Sequence, residues 1–267
     1  MAVESRVVSV SDGSLSYSID GDGQWLVLLH AGIADSRMWD AQMNDFSRHF
    51  RVLRYDMRGY GHSSDLKGPF SHHEDLKILL DTLNIHRTHV VGLSMGASVA
   101  LDFTLSNPEM VDRLVLCAAL GNAPYSDSLM AGWTEAEEAF KRGGLTAVNE
   151  VEIKIWVDGP KRKSDQIDPT VRALVADMNL PVLEREEIAE HESTPLDPPA
   201  SSRLSEIAAQ TLVLAGELDQ PDVLEFAAQL VTEIPTSRLE IILGAAHMVN
   251  MEDPRRFNSL VGTFLRE

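Results

Sequence analysis

The sequence predicts an α/β fold: a mostly parallel, eight-stranded sheet flanked by helices and carrying a helical lid insertion. Short apolar runs rich in β-branched residues alternate with segments of helical periodicity through most of the chain. Alternation of this kind produces a parallel sheet with helices on both faces. It is interrupted only between about residues 121 and 203, where helical periodicity continues without a convincing strand pattern.

The predicted strands begin with a hairpin, Arg6–Val10 and Leu15–Ile19, whose turn signal is Asp12-Gly13. The other strands are nearly continuous apolar runs, as expected for strands covered on both faces. They are Trp25–His30, Arg51–Tyr55, Thr88–Leu93, Arg113–Ala118, Thr211–Ala215 and Leu239–Leu243. The helices predicted between and after them are Met38–Phe46, Glu74–Leu83, Met95–Leu105, Val223–Val231 and Pro254–Leu265.

The chain divides into a predicted core domain, residues 1–120 and 204–267, and a helical insertion, residues 121–203. The insertion has helical periodicity in Glu135–Phe140 and Val171–Met178 and a proline-rich joint at Thr194–Pro199. Open α/β sheets bind ligands outside the carboxyl ends of their strands. We therefore expect the insertion to cover that edge as a lid; the alternative is that it packs elsewhere as ordinary structure.

Charge and composition limit the partners that we expect. The formal net charge is −18, from 41 acidic and 23 basic side chains. Such a chain repels phosphate backbones and anionic membranes, so we expect no nucleic acid or membrane partner. The expected partner is a small ester or lactone substrate, and the expected state is a monomer or homodimer. The single cysteine, Cys117, lies in an apolar run and is expected to be a small buried hydrophobe. The N-terminus lacks a signal-peptide pattern, and the expected location is cytoplasmic.

The segment Gly92-Leu93-Ser94-Met95-Gly96 joins a buried strand to a helix. A nucleophile on such a sharp turn has a strained backbone, and flanking glycines remove side chains that would collide there. The turn exposes the Ser94 hydroxyl and directs the positive end of the helix toward it. Because G-x-S-x-G occurs by chance in about one chain in ten of this size, its position after a strand is what makes it informative.

With these residues the chain resembles the α/β-hydrolase superfamily, in its serine esterase and lactonase branch. Three further segments match the family in order. They are His30-Ala31-Gly32, Asp56–Ser63, and Gly244–His247 followed by Met251–Pro254. Together with Arg37–Asp40, they make the chain similar to 3-oxoadipate enol-lactonase-like hydrolases. The resemblance implies a hydrolase that needs no cofactor and no metal.

A serine nucleophile needs a base, and the base needs an orienting acid. His247, after the last predicted strand, is the expected base. The chain order nucleophile, acid, histidine places the acid after Thr211–Ala215, where the family spacing selects Asp219 over its neighbours Glu217 and Asp222. The other position that the family uses, after Ala118, holds no carboxylate.

The resemblance implies an oxyanion hole formed by the backbone N–H groups of Met95 and Gly32, with Ile33 as an alternative to Gly32. The residues that we predict to line the substrate pocket, each of which could instead be plain helix packing, are Ile33, Trp133, Phe140, Trp156 and Met248. Lys161-Arg162-Lys163 is interpreted as a solvated loop or, alternatively, a docking site for an anionic substrate. Adjacent His72 and His73 do not face one direction on a helix, so no metal is expected there.

The predicted function is cleavage of a small carboxylic ester or lactone through an acyl-enzyme on Ser94, with His247 as base and Asp219 as orienting acid. Two alternatives remain open. The same residues support carbon–carbon hydrolysis or cofactor-free peroxyacid formation, and some members of the superfamily keep the triad as signalling proteins or ligand receptors.

Overall fold

The computed structural model describes residues 5–122, 124–189 and 191–267, and its centre is one eight-stranded sheet. The strands are β1 (Arg6–Val10), β2 (Gly13–Asp20), β3 (Trp25–Leu29), β4 (Arg51–Tyr55), β5 (Thr88–Leu93), β6 (Val111–Cys117), β7 (Gln210–Gly216) and β8 (Ser237–Ile242). Their order is β1-β2-β4-β3-β5-β6-β7-β8. Pairing is antiparallel for β1–β2 and β2–β4 and parallel for the other neighbours. The prediction of an eight-stranded, mostly parallel sheet flanked by helices is confirmed.

Strand burial explains the sequence patterns. Every residue of β5 is buried, because β3 and β6 pair with it and helices cover both faces. The edge strand β1 has only one fully buried residue, Val8, and is otherwise half-buried or exposed. The main hydrophobic core lies on the two faces of the sheet and includes Trp39, Phe103 and Phe257.

The helices are α1 (Asp40–Phe46), α2 (His72–Thr82), α3 (Met95–Ser106), α4 (Asp127–Ile153), α5 (Pro169–Glu186), α6 (Pro221–Glu233), α7 (Val249–Glu252) and α8 (Pro254–Arg266). None of the described helices combines the length and apolarity needed to cross a bilayer. Boundaries differ from the predicted ones by a few residues. The predicted helix Met38–Phe46, for example, is a 3-10 turn at Ser36–Trp39 followed by α1, because Asp35 caps the turn by accepting from the Arg37 N–H.

The helical insertion, residues 121–203, lies between β6 and β7 and, over its described residues, has helices but no strand. Its first helix, α4, is bent at Gly143-Gly144, where the backbone leaves helical geometry. A small second apolar cluster of Leu129, Ala139, Val151 and Ile155 holds the two halves of α4 together. Next comes one π-helical turn, Lys154–Asp158, and then α5.

Candidate active site

Ser94 lies at the junction of β5 and α3 with φ 56° and ψ −116°, in the left-handed region that non-glycine residues rarely adopt. Its N–H donates to the Cys117 carbonyl at 2.9 Å, which attaches the turn to β6. Both flanking glycines are required by space. A Cβ on Gly92 would collide with the Gly96 carbonyl, and one on Gly96 would collide with the Leu29 carbonyl. The backbone is therefore held in the strained turn, and Ser94 remains half-buried at the carboxyl edge of the sheet.

His247 and Asp219 form a buried pair at the same edge. Nδ1 of His247 lies 3.0 Å from Oδ2 and 3.2 Å from Oδ1 of Asp219. Each side chain is no more than 2% exposed. With a carboxylate at this distance, Nδ1 carries the hydrogen and Nε2 presents a lone pair. Among the described residues, no hydrogen bond joins His247 to Ser94. Catalytic hydrogen bonds are often loose until substrate binds.

The two neighbouring carboxylates have other partners. Glu217 accepts the Gly244 N–H at 3.0 Å. Asp222 accepts both the N–H and the hydroxyl of Ser126, so it fixes the start of α4. Of the three acidic residues that follow β7, Asp219 is thus the one that faces His247.

The loop after β3 is organised by His30, whose Nε2 accepts the Met57 N–H at 2.9 Å while Nδ1 donates to the Ala31 carbonyl at 2.9 Å. Burial lowers the pKa of His30, so the ring is neutral, as these bonds require. The Ala31 carbonyl also accepts the Ala34 N–H at 3.2 Å, so both the His30 ring and the backbone fix this loop.

Two residues predicted to supply the oxyanion N–H groups, Gly32 and Met95, are close to each other. A Cβ on Gly32 would lie 3.6 Å from Cβ of Met95, so the two backbones are close. Among the described residues, the N–H groups of Met95, Gly32 and Ile33 have no acceptor.

The insertion contacts His247 directly. The Trp156 ring packs on the imidazole with centroids 4.6 Å apart and an interplanar angle of 40°. Nearby, Gln220, next to Asp219 in the chain, donates through Nε2 to the Ile155 carbonyl at 2.9 Å. The π-helical turn is therefore attached to the acid loop as well as to the histidine.

Arg162 corrects one prediction. The sequence predicts a solvated loop or an anion-docking site at Lys161–Lys163, but the Arg162 side chain is only 10% exposed and forms an ion pair with Glu252. It also donates to the Val157 and Gly244 carbonyls, at 2.8 and 3.1 Å. Glu252 in turn accepts the N–H of Ala246, the residue before His247, at 2.9 Å. Sequence pattern could not find this role, because Arg162 and Glu252 are distant in the chain.

The predicted pocket residues have different surroundings. Trp156 contacts His247, Met248 is fully buried, and Ile33 is half-buried against the main core. Trp133 packs edge-on against Tyr125 in the second apolar cluster, with centroids 5.0 Å apart. Phe140 is 43% exposed, on the outer surface of α4. Within the described residues, no group of three or more His, Cys, Asp or Glu side chains is arranged to hold a metal ion.

A family model described as "alpha/beta hydrolase fold" matches residues 24–254. A 2-hydroxy-6-oxononadienedioate/2-hydroxy-6-oxononatrienedioate hydrolase of Cupriavidus pinatubonensis is 28% identical over 98% of this chain and 95% of its own. The 3-oxoadipate enol-lactonase 1 of Acinetobacter baylyi is 24% identical over 95% and 93%. The crystal structure of the enol-lactonase from Burkholderia xenovorans LB400 superposes with TM-score 0.79 at 27% identity, covering 98% of this chain and 100% of that one.

Proposed function

Because the chain belongs to the α/β-hydrolase family, we propose that this hydrolase cleaves a carboxylic ester or lactone through an acyl-enzyme formed on Ser94. The main support is the buried hydrogen bond between His247 Nδ1 and Asp219, which leaves Nε2 as an acceptor at the edge of the sheet that also carries Ser94. The enol-lactonases among the similar proteins support the ester or lactone class.

The proposed reaction begins when Ser94 Oγ attacks the ester carbonyl while His247 Nε2 takes its proton. Asp219 holds the imidazole by Nδ1 and stabilises the imidazolium. The N–H groups of Met95 and Gly32 would receive the carbonyl oxygen as it becomes negative; one such donor is worth about 3 kcal/mol of transition-state stabilisation. The C–O bond then breaks, and His247 returns the proton to the leaving alcohol. Water, activated by His247, releases the acid and restores Ser94.

Carbon–carbon hydrolysis is the second candidate, favoured by the name of the Cupriavidus relative. A dioate carries two carboxylates, and recognition of the second one calls for a cation in the site. Two arginines of the insertion pair with carboxylates of this chain: Arg162 with Glu252, and Arg172 with Asp158 and Glu150. Arg185 keeps a buried Nη1 that has no hydrogen-bond partner among the described residues. The substrate panel described next separates the two reactions.

The test is a panel of 4-nitrophenyl esters, lactones and a vinylogous 1,5-diketone acid, applied to the wild type, Ser94→Ala and the matched control Ser106→Ala. Ser106 is exposed at the far end of α3 and donates to the Asp102 carbonyl. We expect ester or lactone turnover and labelling by a fluorophosphonate in the wild type and Ser106→Ala, and neither in Ser94→Ala. Turnover confined to the diketone would replace the proposal with carbon–carbon hydrolysis. Ester turnover that survives in Ser94→Ala would reject the nucleophile.

A further inference from the structure

The sheet ends at β8, and no strand of the described chain pairs with the outer edge of β8. On the inner side, the Thr236 carbonyl accepts the Thr211 N–H at 2.9 Å, and the Ile242 carbonyl accepts the Glu217 N–H at 3.0 Å. The backbone groups of successive residues in a strand point alternately to its two sides. The even-numbered residues from 236 to 242 therefore bond to β7, and the N–H and C=O groups of residues 237, 239 and 241 point outward.

The side chains of β8 alternate between the two faces of the sheet. Ser237 lies on the α6 face, because its hydroxyl donates to the carbonyl of the residue that follows α6, at 2.7 Å. Arg238 lies on the α8 face, because its guanidinium packs over the Phe264 ring at 5.1 Å from the ring centroid. Leu239 is therefore on the α6 face, where it is 37% exposed, and Glu240 is on the same face as Arg238.

An antiparallel copy of β8 fits the outward groups when a two-fold axis passes through Leu239. In this register Leu239 lies opposite itself, and Ser237 lies opposite Ile241 of the second copy. The outward-pointing residues then form hydrogen-bonded pairs, and each such pair exchanges two N–H···O=C bonds. A shift of one residue would instead place these outward groups opposite residues that already bond to β7.

The charges of β8 are self-complementary in the same register. Arg238 lies opposite Glu240 of the second copy, and the two-fold axis repeats the pair. Charged residues on an edge strand commonly prevent pairing, whereas opposite charges that face each other across two strands stabilise it. Arg238 holds Glu267 through Nη1 and Nη2, at 2.9 and 2.6 Å, and its Nε–H takes no part in that ion pair. The edge therefore attracts its own copy although the whole chain carries a net charge of −18.

We propose that two copies of this chain form a symmetric dimer through their β8 strands, which pair antiparallel about Leu239. The interface is isologous, and the sheet continues from one copy into the other. Pairing covers the two exposed Leu239 side chains with each other. At each end of the interface, Leu243, which is 75% exposed, lies beside the exposed Pro235 of the second copy.

The first experiment uses the position that faces itself. Residues paired in this way have Cα atoms about 5.5 Å apart, within the range that a disulfide spans. The single cysteine of the chain, Cys117, is buried, so Leu239→Cys supplies one accessible thiol. The matched control is Val7→Cys, which is on the opposite edge strand and replaces a residue that is 68% exposed. Under mild oxidation, we expect Leu239→Cys to form about tenfold more disulfide-linked dimer than Val7→Cys.

Sedimentation velocity measures the assembly itself, and the wild type should have the mass of two chains at micromolar concentration. Glu240→Lys places like charges opposite each other twice and should raise the dimer dissociation constant about tenfold or more. Asp22→Lys makes the same charge change on the exposed loop after β2 and should leave that constant unchanged. A wild type with the mass of one chain would overturn the proposal. So would cross-linking no greater at position 239 than at position 7, or equal dissociation constants for the wild type and Glu240→Lys.

Discussion

Replacing Arg162 with alanine tests how the insertion is connected to the histidine loop. Arg162 is the only described side chain that pairs with Glu252, and Glu252 holds the N–H of Ala246 directly before His247. In Arg162→Ala the Glu252 carboxylate, 9% exposed, stays where it is without its counter-ion. The Val157 and Gly244 carbonyls also lose a donor.

The expected loss of unfolding free energy is about 3 kcal/mol, because removal of one partner of a buried ion pair costs about 3–5 kcal/mol. The lower figure applies because Glu252 keeps its bond from Ala246. Urea denaturation measures the loss. The matched control is Lys141→Ala in the same insertion, whose ion pair with Glu138 is exposed; surface pairs are worth at most about 1 kcal/mol.

Two further outcomes separate positioning from simple destabilisation. Arg162→Met combined with Glu252→Gln removes both charges and should recover part of the lost free energy, since the uncompensated buried charge is gone. In Arg162→Ala at low temperature, where the protein remains folded, kcat should fall several-fold with little change in KM, because the His247 loop is displaced rather than the substrate pocket. Unfolding free energy within 1 kcal/mol of the wild type, or an unchanged kcat, would refute this reasoning.

The remaining predictions concern the acid and a buried histidine. Asp219→Asn should lower kcat by roughly 10³–10⁴-fold, since the amide would favour the wrong His247 tautomer; steady-state ester hydrolysis measures it, and an unchanged kcat would exclude Asp219 as the acid. His89 is 1% exposed, and neither ring nitrogen makes a hydrogen bond with a described residue, although Nδ1 lies 3.7 Å from Asp112 Oδ2. Burial, the largest effect, lowers the pKa of His89 to about 4. Its folded pKa is below the unfolded value of about 6.5, so stability is full above that pH and declines as pH falls toward 4, by about 2 kcal/mol at pH 5. Urea denaturation at pH 7 and pH 5 should show that His89→Leu loses about 2 kcal/mol less unfolding free energy on acidification than the wild type. His49→Leu, at an exposed position, should lose as much as the wild type. An equal loss in the wild type and both variants would contradict the role of His89.

The strands and the nucleophile turn could be predicted because their signals are local. A buried parallel strand is an apolar run wherever it occurs, and the glycines around Ser94 are needed by backbone atoms only a few residues away or on the adjoining strand. The prediction of Asp219 as the acid depends on its spacing from β7 and on the order nucleophile, acid, histidine that the family has. What separates it from Glu217 and Asp222 in the structure is a set of bonds to Gly244 and Ser126 that no spacing rule contains.

Side chains of the insertion could not be placed in this way, since helical periodicity identifies an apolar face but not the surface against which it packs. Phe140 and Trp156 gave the same signal in sequence, yet Phe140 lies on an exposed face and Trp156 on His247. The sequence likewise predicts one solvated run at Lys161-Arg162. In the structure, however, Arg162 is buried in an ion pair with Glu252. The difference depends on contacts between residues about 90 positions apart.

Substrate specificity, like the placement of the insertion's side chains, depends on residues that are distant in the chain. In the proposed mechanism, the three catalytic residues follow β5, β7 and β8 and would act on any acyl group of suitable size; they are Ser94, Asp219 and His247. A cavity that starts at Met95 is lined by Asp102 from the core and by Glu186 and Glu192 from the insertion, so this lining exists only where these distant segments meet. Specificity in this protein is therefore expected to change with the end of α5 and the segment after it, while the chemistry stays with the strand ends.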